Sequence, residues 1–123
     1  MVLQEKERYV TLILVNKMKI IVNKKIIPLK IANSFWTKLK GFMFKKNIDY
    51  ALLFKNCNGI HTFFMKEEID VILTDKDNNI LYLYPSLKKN KILLPKKNVY
   101  NTYELPKGSI NNLKINTKIK VQE

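Results

Sequence analysis

The chain has 123 residues, 46% of them hydrophobic, and a formal net charge of +13 at pH 7. That length suits one domain that buries a core without metal or disulfide support. Its single cysteine, Cys57, excludes an intrachain disulfide, so nothing in the chain demands an oxidising compartment.

At the N-terminus the longest apolar run is "YVTLILV", Tyr9 to Val15. It is far shorter than the roughly 20 residues that span a bilayer. Glu5, Lys6, Glu7 and Arg8 cancel in charge, unlike the positive start of a secretory signal. The expectation is a cytoplasmic protein with no membrane span. Residues 1–17 read as an N-terminal extension or extra strand, and residues 18–123 as a single β-rich domain.

"MKIIV" and "IIPLKIA" read as two strands around a turn near Asn23 and Lys24. Ile27, Leu29 and Ile31 alternate with Pro28 and Lys30, the period of a half-buried strand. Pro28 lacks an N–H and argues for an edge position. In "NSFWTKLKGFMF" the period changes to that of a short helix. Asn33 or Ser34 can cap its start, and Gly41 suits the position just past its end. Phe42 and Met43 are expected to anchor the exit, and Trp36 to lie in or just below the core.

"YALLF", "HTFFM" and "IDVILTD" are three further apolar runs that read as strands. "DKDNN" is a turn, because Asp and Asn bond their own backbone and tolerate positive φ. It makes a hairpin between "IDVILTD" and "ILYLY". "NVYNTYELP" reads as another strand, "KGSINNLKI" as a short helical turn and "KIKVQ" as a last strand. The fold class is therefore mainly β: a compact barrel or jelly-roll-like sandwich with one or two short helices.

The charge admits two readings. A basic surface attracts nucleic acid or anionic lipid. The densest stretch, "SLKKNKILLPKK", offers Lys88, Lys89, Lys91, Lys96 and Lys97 between Tyr82, Tyr84 and Tyr100, Tyr103, the ingredients of a single-strand stacking surface. Yet Arg8 is the single arginine among 23 basic residues. Readers of phosphate or guanine geometry favour the planar guanidinium. Lys and Asn together are abundant, as an AT-rich coding sequence would give. Composition is the favoured explanation, and nucleic acid the less favoured partner.

"CNGIHTFFMKEEID", residues 57–70, carries the only Cys and the only His. A Cys57–His61 dyad would need His61 to lower the thiol pKa and a third group to orient the ring. The spacing puts the pair on no common helical face, and no glycine-rich oxyanion loop adjoins Cys57. One Cys and one His fall short of a structural zinc site, and no spacing recommends Glu67, Glu68 or Asp70 as further ligands. No metal or cofactor is expected. In a strand, His61 and Met65 would share a face and line a pocket. Asp70 interrupts an apolar strand, and Glu104 stands in "YELP". Both are costly inside a core unless paired, and both are candidates to converge near His61.

"IANSFWTKLKGFMF", "ALLFKNCNGIHTFFMKEEIDVILTD" and "YELPKG", in this order, resemble the domain-of-unknown-function 192 family. The family pattern has a short helix ending in Gly-Leu-Met, here Gly41, Phe42 and Met43. A His-Thr or aromatic-aromatic-Met segment leading to an Asp-bearing strand follows, here His61, Thr62, Met65 and Asp70. Later comes Glu-Leu-Pro-x-Gly, here Glu104 to Gly108. Asn116-Thr117 stands where the family often has Gly-Asp, so no function rests on that turn. The resemblance implies a compact β-rich, jelly-roll-like domain and brings no established reaction.

Cys57, His61, Thr62, Met65, Asp70 and Glu104 are thus the expected pocket. The leading expectation is a non-enzymatic module that binds a small ligand or a protein, or accepts a partner strand at a sheet edge. The alternatives are a hydrolase with His61 as base and Asp70 or Glu104 as its partner, and a nucleic-acid binder using residues 88–97.

Overall fold

A computed structural model describes residues 18–123. The expected extension over residues 1–17 lies outside the described residues, as does the side chain of Phe35. The elements run β1 (Lys19–Val22), β2 (Lys25–Ile31), α1 (Phe35–Lys40), β3 (Ala51–Phe54), β4 (Ile60–His61), β5 (Ile69–Thr74), β6 (Ile80–Leu87), β7 (Ile92–Leu93), β8 (Asn101–Pro106) and β9 (Lys120–Gln122). Seven strands form one sheet in the order β6-β5-β8-β3-β2-β1-β9, and β4 pairs with β7 as a separate ribbon. The fold is mainly β with one short helix, as expected.

The sheet curls because its far ends meet. Ile80 N–H donates to Thr117 O at 2.7 Å, and Ile119 N–H donates to Asn78 O at 2.9 Å. The lead-in to β9 thereby ties the start of β6 to the opposite edge. Alternation then splits the apolar residues between two faces. Ile20, Leu29, Leu53, Ile72, Tyr103 and Leu105 belong to a core on the concave face. Leu52, Phe54, Val71, Leu73 and the loop residue Phe42 belong to a second core on the other face.

Asn23 and Lys24 take φ of 49° and 65°, the mirror-image turn that matches hairpin twist. Pro28 sits in an interior strand, contrary to the edge expected of it. The two neighbours of β2 use different stretches of it. β1 pairs with Lys25 to Pro28, and β3 with Leu29 to Ile31. Pro28 stands at the changeover, where one ladder ends and the next has not begun.

Ser34 caps α1. Its hydroxyl accepts from the Thr37 N–H at 3.1 Å, and Thr37 Oγ1 accepts from the Ser34 N–H at 3.0 Å. Trp36 is 73% exposed rather than in the core. One turn and a half of helix turns few side chains inward, and Phe42, just past Gly41, is fully buried instead.

"HTFFM" is not a strand beyond its first residue. Only Ile60 and His61 pair, with Leu93 and Ile92. Thr62 then turns inward, and Phe64 takes φ of 62°, which reverses the chain and sends Met65 into the second core. "KGSINNLKI" forms turns, with Leu113 N–H donating to Ile110 O at 3.1 Å.

Candidate functional site

β8 is a central strand, so its alternate residues face the two cores. Tyr103 and Leu105 point to the concave face, while Thr102 and Glu104 point to the other. Glu104 lies opposite Leu52 on β3 and Val71 on β5, two members of the second core. Its carboxyl is only 4% exposed, and Oε1 meets no hydrogen-bond partner. Burial raises the Glu104 pKa to about 8, against a smaller opposing pull from the Phe42 backbone N–H. This carboxyl therefore holds its proton through the neutral range.

The C-terminal end of α1 lies directly over it. A Cβ at Gly41 would stand 3.0 Å from Glu104 Oε1 and 3.3 Å from Oε2. Gly41 has φ of 50° and ψ of −126°, a backbone conformation that suits glycine alone. The residue keeps open the space above the carboxyl. Gly41 and Glu104 also line a cavity of about 150 Å³, together with Lys38, Leu39, Lys40, Phe42, Gly59, Ile60, His61 and Met65, although Oε1 itself is closed to solvent.

His61 comes from β4. Its Nδ1 accepts the Phe63 N–H at 3.2 Å, and its ring stacks on Phe63 at 5.6 Å between centroids. The neutral ring is therefore the Nε2–H tautomer, and Nε2–H is its remaining donor. Cys57 stands beside the cavity without lining it. Its Sγ lies 3.7 Å from Gly59 O. Burial raises its pKa, Lys38 opposes that, and Glu104 adds to the rise. This is the electrostatic setting of an inert thiol rather than a reactive thiolate.

Of the six expected pocket residues, the fold brings His61, Met65 and Glu104 to one cavity and leaves Cys57 at its back. Thr62 and Asp70 lie elsewhere. Thr62 Oγ1 donates to Lys88 O and accepts the Lys91 N–H, both at 2.8 Å, and so pins the 88–91 loop. Asp70 pairs with Leu105 across the sheet and shares the concave face. Its Oδ1 accepts the Ser86 N–H at 2.8 Å, and its Oδ2 accepts the Ile110 N–H at 2.9 Å. The Ile110 donor is buried and the Ser86 donor half-buried, and each finds its partner in this carboxylate.

Sequence reasoning did not select Lys38, Lys40 and Gly41 as site residues. The one signal available was Gly41, whose place after the helix was legible, though its carboxyl neighbour was not. The basic segment is also rearranged. Lys88, Lys89, Lys91 and Lys97 are exposed, while Lys96 lies 5.2 Å from the Tyr82 ring centroid. Tyr103 is buried, and Tyr84 packs on the second core, so the four tyrosines do not form one face. Among the described residues, no group of three or more His, Cys, Asp and Glu gathers to hold a metal ion. No described helix is long and apolar enough to cross a membrane.

The profile of the family DUF192, described as "Uncharacterized ACR", matches residues 18–122. The chain belongs to this family. A UPF0127 protein of Thermococcus kodakarensis is 33% identical over 92 residues, 70% of this chain and 58% of that protein. The chain thus spans little more than half the length of that relative. A UPF0127 protein of Pyrococcus horikoshii is 38% identical over 85 residues, 64% of this chain and 72% of its own length. In fold, this DUF192 domain is similar to the crystal structure of a proposed transcription regulator from Sinorhizobium meliloti. The TM-score is 0.69 at 14% identity, over 85% of this chain and 90% of that one. A protein of unknown function from Novosphingobium aromaticivorans gives a TM-score of 0.67 at 14% identity, covering 86% and 83%. At that identity the likeness concerns the fold alone.

Proposed function

We propose that this DUF192 domain is a small-ligand-binding module whose site is the cavity over Glu104. One observation carries the reading: a buried carboxyl with an unpartnered oxygen forms the wall of a cavity that glycine keeps open. A buried polar atom left without a partner costs stability, on the order of 1–3 kcal/mol. A fold that tolerates this at a cavity wall has the form of a site that waits for a partner molecule. Lys38, Lys40 and His61 would supply polar contacts, while Phe42, Ile60 and Met65 would supply the apolar ones.

The hydrolase alternative is less well supported. A His61 general base needs a carboxylate or similar group to orient its ring. Here a backbone N–H occupies Nδ1, Asp70 serves the opposite face of the sheet, and Glu104, though on the same cavity, leaves its Oε1 without a bond to the ring.

The test is a fragment screen by NMR on the whole chain, following the Met65 methyl and the His61 ring. Ligands of the site should shift both signals and lose affinity in His61→Ala while that variant keeps the wild-type spectrum elsewhere. A diverse set of fragments that leaves both signals unmoved at millimolar concentration rejects the reading.

A further inference from the structure

We propose that the ligand of this cavity is a small monocarboxylate, held between the ammonium groups of Lys38 and Lys40, the Nε2–H of His61 and the carboxyl of Glu104. The proposal rests on the binding reading above and names its ligand class. Three observations converge on it.

The first is the sign of the polar groups. Lysine ammonium groups donate and never accept. With Nδ1 occupied by the Phe63 N–H, the neutral His61 ring has only its Nε2–H to offer. Glu104 is the single acid among the lining residues, and its buried Oε1 is unpartnered. Burial keeps that acid protonated through neutral pH, so it too presents an O–H donor. A cavity lined by donors is complementary to a ligand that brings acceptors and negative charge.

The second is size. A cavity of about 150 Å³ corresponds to about five waters at their liquid volume. That suits a carboxylate with a short tail. The third is the apolar half of the lining. Phe42, Ile60, Met65 and Leu39 offer a wall to one or a few carbons and nothing to a second charge.

Proton linkage follows. The titratable groups that share the cavity with Glu104 are Lys38 and Lys40 from α1 and His61 from β4, with the Cys57 thiol beside it; the Lys38 ammonium also donates to Lys55 O at 3.4 Å. A bound carboxylate accepts the Glu104 proton in a hydrogen bond without removing it. Once Glu104 ionises, two carboxylates face each other and the complex weakens.

The experiment is an NMR titration of the whole chain with acetate and with propionate. Sodium chloride controls for ionic strength, and methylammonium is the probe of opposite charge. Acetate and propionate should shift the Met65 methyl and the Gly41 and Gly59 amides saturably at pH values below Glu104's range of about 8. Affinity should fall at least about tenfold above that range, one pKa unit's worth of interaction. The double variant Lys38→Ala, Lys40→Ala should weaken binding on the order of tenfold. Glu104→Gln, whose amide keeps a donor, should bind with a flattened pH profile. Since the wild-type pH profile and the two probe charges need no variant, a Glu104→Gln that fails to fold leaves the test intact. Saturable binding of methylammonium instead of the carboxylates overturns the ligand class but leaves the binding module standing. Carboxylate affinity that is the same on both sides of Glu104's range overturns the role given to its proton. If neither probe moves Met65 while other fragments do, the carboxylate proposal alone fails; if nothing moves it, the binding reading fails with it.

Discussion

Gly41 and Glu104 are in contact across the end of the helix: a Cβ placed on Gly41 would stand 3.0 Å from the Glu104 Oε1 oxygen. The glycine is therefore part of the site, because its missing side chain is the space above the carboxyl. Gly41→Ala should destabilise the fold by about 1–3 kcal/mol, through positive φ and the crowded carboxyl together. It should also shrink the cavity. Denaturant melts measure the first effect, and loss of fragment-induced shifts at Met65 the second. An alanine variant as stable as the parent would show that the helix end can shift aside.

Glu104 makes stability depend on pH in an unusual direction. Burial lifts its folded pKa to about 8, from the ordinary glutamate value of 4.5. Between those values the unfolded chain releases a proton that the folded chain keeps. The contribution is fully present below the lower value and is lost as pH rises towards about 8. Unfolding free energies should decline over that window in the parent and stay flatter in Glu104→Gln. A parent curve that rises through the same window would contradict the protonated state.

Asp70 should behave as a fold residue, unconnected with ligand. Asp70→Ala strands the Ser86 and Ile110 N–H groups, both held at under 3 Å. Leaving a buried donor without its partner costs about 1–3 kcal/mol, so the loss of both bonds is expected to cost about 2 kcal/mol or more. Asp70→Asn keeps one good acceptor and should lose less. Thermal melts of the two variants decide the matter.

Thr62→Val is nearly isosteric but removes the hydroxyl that holds Lys88 O and the Lys91 N–H. The expected cost is about 1–3 kcal/mol. Faster amide hydrogen exchange should be confined to the loop at residues 88–91 and the adjoining β7. His61→Ala should differ in kind. His61 is partly buried and its ring takes one backbone bond, so stability should change by less than about 1 kcal/mol while fragment binding drops.

Much of the fold was legible because its signals are local. Turn residues at Asn23-Lys24 and in "DKDNN", the Ser34 cap with Gly41 beyond it, and period-2 alternation each act within a few residues. Trp36 and "HTFFM" misled for the complementary reason. A large aromatic predicts burial only where a face is buried, and α1 is too short to cover its own tryptophan. Thr62 overrode strand propensity by bonding a loop 26 residues away.

By itself, the sequence determined that this is a mainly β domain and that His61, Met65 and Glu104 are unusual where they stand. Which of them meet was decided only by strand register. Val71, not Asp70, lies opposite Glu104, and a shift of one residue in that pairing would set Asp70 opposite Glu104 and put both acids on one face. Register is set by the whole sheet and by its closure near Asn79 and Lys118. The tertiary structure therefore turned Asp70 into a clamp for backbone donors and left Glu104 under the cavity that Gly41 holds open.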